Sequence, residues 1–94
     1  MVRYRVIILS SAYRDINKII THILTEYQDV FSASNIANAL YDKIQSLEYV
    51  PQRIRFNDKY YFTKAKKYKI FYYIIGRDVY VARIYHSLQI PHLD

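Results

Sequence analysis

Ninety-four residues make one domain, large enough for a single core with little to spare. Apolar residues are 52% of the chain and aromatics 17%, with one Gly and two Pro, which excludes a disordered tail and predicts long regular elements. There is no Cys, so disulfides and Cys-based zinc sites are excluded. The net charge of +6 is unevenly placed: residues 1–50 hold five Lys/Arg against five Asp/Glu, and residues 51–94 hold nine against three. A basic half of this kind predicts an acidic partner, either nucleic acid or an acidic protein.

At the N-terminus, Tyr4, Val6 and Ile8 alternate with Arg3, Arg5, Ile7 and Leu9, which predicts a strand from about Arg3 to Leu9. Its apolar run, Val6 to Leu9, is too short for a signal sequence or a membrane span, so a cytoplasmic protein with no membrane partner is expected. Ser10 or Ser11 reads as a helix N-cap, with Asp15 in the first turn where the helix dipole favours it. Ile16, Ile19, Ile20, Ile23, Leu24 and Tyr27 then form one continuous helical stripe. Ser32 is the next cap, followed by a second stripe in Ile36, Ala37, Leu40, Ile44 and Leu47 that stops before Pro51. A short connection between two such helices implies an antiparallel helical hairpin, with Ala33, Ala37 and Ala39 allowing close approach.

Gln52 to Asp58 is a polar connection carrying Arg53 and Arg55. Three strands fit the remainder, at about Lys59–Lys64, Tyr68–Ile75 and Val79–His86. The reading is an α+β domain over residues 1–94: an N-terminal strand, a helical hairpin, then a three-stranded antiparallel meander, with the helices packed on one face of the sheet.

The last hairpin carries the chemistry. A three-residue loop Gly76-Arg77-Asp78 pairs Ile75 with Val79 and Phe71 with Arg83. Lys69, Phe71, Tyr73, Arg83 and Tyr85 then share one face, and Tyr68, Ile70, Tyr72, Tyr80, Ala82, Ile84 and His86 the other. A two-residue turn would shift the register and separate Lys69 from Arg83. In the preferred register Lys69 and Arg83 can together hold a phosphate, with Tyr85 at the rim and Lys64, Lys66 and Lys67 extending the positive field. His86 is the side chain suited to proton transfer at neutral pH, although this register sets it beside Ile84 on the apolar face. His22 and His92 lack metal-ligand spacing, and no paired carboxylates, Gly-rich phosphate loop or Ser/His/Asp set appears, so no metal or other cofactor is expected.

The order of elements, the step Ser46-Leu47-Glu48-Tyr49-Val50-Pro51, the run Tyr68-Lys69-Ile70-Phe71-Tyr72 and the closing Arg83-Ile84-Tyr85-His86 together resemble the RelE/ParE toxin superfamily. These are plasmid-stabilisation toxins of type II toxin–antitoxin modules, with Tyr-Arg-Ile-x-Tyr on the penultimate strand and Arg-(Val/Ile)-x-His on the last. The resemblance covers nearly the whole chain. It implies a cognate antitoxin as partner, whose acidic or amphipathic C-terminal segment wraps the toxin.

The resemblance leaves two modes of action open. RelE-like members are mRNA interferases that enter the ribosome and cut mRNA without metal, using the RNA 2′-OH as nucleophile. ParE-like members are gyrase inhibitors that bind DNA gyrase and need no catalytic residues. In the first mode, towards which the basic and aromatic groups lean, Lys69 and Arg83 stabilise transition-state charge and Tyr85 or His86 moves protons. Lys64, Lys66, Lys67, Arg53 and Arg55 would then contact RNA. Against it, Lys69 replaces the family arginine and loses its bidentate fork, and Tyr60 and Phe62 stand where RelE-like nucleases place lysines. A third class is a basic domain that binds RNA or protein without toxicity.

Overall fold

The alternating apolar pattern of Arg5–Ile8 forms a first strand, β1, and the stripe of isoleucines after it forms a long helix, α1 (Ser10–Tyr27). The computed structural model describes residues 3–49, 51 and 54–93. A second helix, α2 (Val30–Ser46), follows, and then β2 (Ile54–Arg55), β3 (Tyr61–Ala65), β4 (Tyr68–Ile75) and β5 (Asp78–His86). The α+β reading holds, with the helical hairpin on one face of the sheet. The sheet is mixed, in the order β1-β5-β4-β3-β2. β2, β3, β4 and β5 are antiparallel neighbours, and β1 lies parallel to β5 with Val6 beside Val79 and Ile8 beside Val81. The helical hairpin carries the chain from β1 at one edge of the sheet to β2 at the other, and the meander from β2 to β5 brings it back alongside β1.

Both helix caps differ from those expected. Leu9 is the N-cap of α1 and offers no side-chain bond, while Ser10 and Ser11 lie inside the helix. α1 closes on Gln28 in the left-handed conformation, φ 50°, whose N–H bonds the Leu24 carbonyl. Asp29, not Ser32, caps α2: its carboxylate accepts from the Ser32 N–H at 3.1 Å and the Ser32 hydroxyl at 2.6 Å. This connection turns α2 back along α1, so Ala12, Ile16, Leu40, Ile44 and Leu47 meet Ile70, Tyr72, Val79, Val81 and Ile84 of the sheet in one core.

The register of the last hairpin is a correction. Its turn is the two-residue Gly76-Arg77, with Ile75 opposite Asp78, and Gly76 supplies the positive φ of 61° that such a turn requires. Lys69 and Arg83 should then lie on opposite faces, but the ladder shifts between Phe71 and Tyr72, so that Tyr72 faces Val81 and Phe71 faces Arg83. The extra residue, Ala82, makes a β-bulge. The bulge restores the pairing near Lys69 that the longer loop would have produced, and it reverses the parity of β5. Before it Val79 and Val81 face the helices; after it Ile84 does. Tyr80 pairs with Tyr73 and Ala82 joins Phe71 and Tyr85, so both belong to the face opposite the helices.

That second face carries its own apolar cluster of Tyr60, Phe71, Ala82 and Tyr85, flanked by Leu9, Phe62, Tyr73 and Leu93. Phe56 packs edge-on to Phe71 at 5.1 Å between ring centroids. The tail after β5 returns to this face, where Leu93 packs and the Tyr85 hydroxyl meets the His92 main chain.

Candidate functional site

Ladder pairing across β3, β4 and β5 arranges the predicted site in two rows on the face opposite the helices. Lys64, Lys69 and Tyr85 form one row, and Phe62, Phe71 and Arg83 the next. Side chains on one face of neighbouring strands stand within contact distance, so the rows form a patch. The Lys69 ammonium sits 5.0 Å from the centre of the Phe62 ring, and the Arg83 guanidinium 4.8 Å from that of Tyr85. These are cation–π distances, and the rings hold both cations close to an apolar surface.

Arg83 is drawn to the sheet edge. Its Nε and Nη2 donate to the two carboxylate oxygens of Asp15 at 2.8 and 3.2 Å. Asp15 is 7% exposed and also accepts the Ile84 N–H at 2.9 Å. One helical turn earlier, the Ser11 hydroxyl donates to the Ala82 carbonyl at 2.6 Å. β1 ends its pairing at Ile8, and α1 continues along the same edge with side chains in place of a backbone ladder. Bulged main-chain groups at a strand edge need such partners, since an unpaired buried N–H or C=O is costly.

Tyr85 is buried, and its hydroxyl donates to the His92 carbonyl and accepts from the His92 N–H, each at 3.3 Å. His86 faces the helix side instead. Its Nδ1 accepts from the Leu88 N–H at 3.1 Å, its own N–H donates to Gln89 Oε1 at 2.8 Å, and its ring meets Tyr68 edge-on at 5.5 Å. These bonds make His86 the organiser of the turn that starts the tail. Burial, with a smaller contribution from Tyr27, raises the Tyr68 phenol above its ordinary value.

The structure therefore puts Lys69, Arg83, Tyr85 and Lys64 on one face and His86 on the other, although Arg83, Tyr85 and His86 line a common cleft at the end of β5. Lys66 and Lys67 form the exposed β3–β4 turn, Lys66 with a positive φ of 55°. Arg55 lies on the short outer strand β2, where it donates to the Asn57 and Asp58 carbonyls and to the Tyr61 hydroxyl, so it holds its own loop. Arg53 lies outside the described residues. Sequence reasoning missed Asp15, Ser11 and Phe62. A signal for Asp15 existed: with Ile19 and Ile23 at i+4 and i+8, it is an acid on the buried stripe of α1.

A parallel edge strand, an αα crossover and an antiparallel meander bearing a cation–aromatic patch define a toxin of the RelE/ParE superfamily. The family model for the ParE toxin of the type II toxin–antitoxin system, parDE, matches residues 6–91. The chain belongs to that family and is a toxin of a type II toxin–antitoxin system. No curated protein matches it. Among solved structures, a chain of the chromosomal ParDE TA system from P. aeruginosa superposes with a TM-score of 0.76 at 12% identity, covering 89% of this chain and 96% of that one. A chain of the RelBE2 toxin–antitoxin complex from Mycobacterium tuberculosis superposes with a TM-score of 0.66 at 19% identity, covering 90% and 99%. At these identities the likeness shows the fold.

Proposed function

We propose that this toxin acts by binding its target, as ParE-like toxins bind DNA gyrase, and does not cut RNA. The observation that carries the reading is the engagement of the groups a metal-free cleavage would need. Arg83 is held by Asp15, and the Tyr85 hydroxyl is occupied by the His92 main chain. The His86 ring is oriented from the helix side of the ladder, its Nδ1 accepting the Leu88 N–H. Preorganised donors stabilise a transition state only when they are aimed at the developing charge. Lys69 and Lys64 remain beside Phe62, a surface suited to an acidic protein as much as to RNA.

A cognate antitoxin is the second partner, and a net charge of +6 favours an acidic segment in it. Gyrase and antitoxin both place the site of action in the cytoplasm. The test is a pair of assays with purified toxin. Supercoiling by gyrase should be inhibited while a cell-free translation reaction keeps its mRNA intact, and Lys69→Glu should weaken the inhibition about tenfold or more, equivalent to roughly 1.4 kcal/mol. Ribosome-dependent truncation of mRNA, lost on Arg83→Ala or Lys69→Ala, would overturn the reading in favour of a RelE-like nuclease.

A further inference from the structure

A cleft of about 490 Å³ opens between α1 and the end of β5, on the helix side of the sheet edge, and Arg83 and Tyr85 also line it. Besides Asp15 and Arg83, which bond each other, its polar lining includes Lys18 from α1, His86 from β5 and Gln89 from the tail. Their hydrogen bonds fix what each can offer. Because Nδ1 of His86 accepts the Leu88 N–H, the neutral ring carries its proton on Nε2, leaving a donor. Because Gln89 Oε1 accepts the His86 N–H, the amide nitrogen is the end left to donate. Lys18 is exposed and adds a full positive charge with three N–H bonds.

The carboxylate lining this cleft, Asp15, is already neutralised by two N–H bonds from Arg83. Donors from three segments, with the acid already paired, suit an anion and repel a metal cation. The cleft is also far larger than a bare oxyanion requires, and Ile19 and Ile84 give it an apolar wall.

We propose that this cleft binds a phosphate monoester of nucleotide size, with the phosphate held by Lys18, His86 Nε2 and Gln89 and the organic group against Ile19 and Ile84. None of the three phosphate-holding residues belongs to the opposite sheet face, and the cleft meets that face only through Arg83 and Tyr85. Occupancy ties α1 to the turn from which the tail departs.

The test follows the imidazole Cε1–H NMR signals of His22, at the cleft rim, and His86 in the full chain. Adenosine 5′-monophosphate and inorganic phosphate should shift both signals saturably, the monophosphate binding at least threefold more tightly, while adenosine moves neither. Lys18→Glu should weaken monophosphate binding at least tenfold and Gln89→Leu severalfold, with the thermal midpoint of each variant unchanged. Adenosine binding as well as its monophosphate, a monophosphate no tighter than phosphate, no saturable shift, or a Lys18→Glu variant that binds like the wild type would each overturn the proposal.

Discussion

Asp15 of α1 binds the main chain and the side chain of β5 at once: its carboxylate accepts the Arg83 guanidinium at 2.8 and 3.2 Å and the Ile84 N–H at 2.9 Å. The Arg83 bond alone would be a largely buried ion pair, with desolvation of Asp15 offsetting much of the attraction. The Ile84 bond makes Asp15 the replacement for a ladder partner beside the bulge. Asp15→Ala leaves a buried N–H unpaired and releases Arg83, for an expected loss of about 2–4 kcal/mol. Asp15→Asn keeps an acceptor for Ile84 and should lose about half as much. Urea unfolding of the two variants reads the difference. Equal losses would mean that the charge, and not the strand edge, is what Asp15 serves.

The two tight turns predict substitutions of opposite sign. Gly76 has φ 61°, and a Cβ there would meet nothing within 4 Å, so Gly76→Ala is opposed by backbone conformation alone. It should cost about 1 kcal/mol, and Gly76→Asn less. Lys66 holds φ 55° with an ordinary side chain. Lys66→Gly or Lys66→Asn should therefore stabilise the chain, by no more than about 1 kcal/mol because glycine also loosens the unfolded state. Thermal midpoints of the four variants check both signs.

The helical hairpin was legible because isoleucines at a 3.6-residue period leave one reading. β4 was legible to its ends, Tyr68 and Ile75, because it is bounded by a lysine turn and a glycine. What local pattern could not carry was the company each strand keeps. The run from Val79 to His86 alternates well enough to fit either hairpin register. The bulge at Ala82 becomes acceptable only because Ser11 and Asp15, from the opposite end of the chain, receive its displaced main-chain groups. The same fact explains the misplaced cap: the Ser11 hydroxyl is committed to Ala82, so Leu9 begins the helix without side-chain help. The face shared by Lys69, Phe71 and Tyr85 was anticipated for a reason that fails. A two-residue turn and a bulge cancel where one longer loop was expected, and Tyr80 and Ala82 record the difference.

Asp29 predicts a pH dependence. Bonds from the Ser32 hydroxyl and then the Ser32 N–H lower its carboxyl from the ordinary value of 3.8. A group depressed in the folded state stabilises it above the unfolded value, and that contribution disappears as pH falls through the folded value. The thermal midpoint of the wild type should exceed that of Asp29→Ala at neutral pH, and the gap should narrow on acidification below 3.8. A gap that stays constant down to the acid limit would show that the cap acts without its charge. Asp29→Ser, which keeps an acceptor but does not titrate in this range, should give a pH-independent intermediate.

Tyr85 predicts how firmly the tail covers the candidate surface. Both of its bonds to His92 are 3.3 Å long, at the weak end of hydrogen bonding. Tyr85→Phe preserves the ring that packs on Phe71 and under Arg83 and removes only these bonds, so global stability should fall by no more than about 1 kcal/mol. The His92 amide, by contrast, loses its acceptor and should exchange with solvent markedly faster than the global change explains, because the tail can now open locally. Hydrogen exchange measured residue by residue separates the two effects. Unchanged protection at His92 would mean that Leu93, packed in the second cluster, holds the tail alone; Leu93→Ala in the Tyr85→Phe background should then release it.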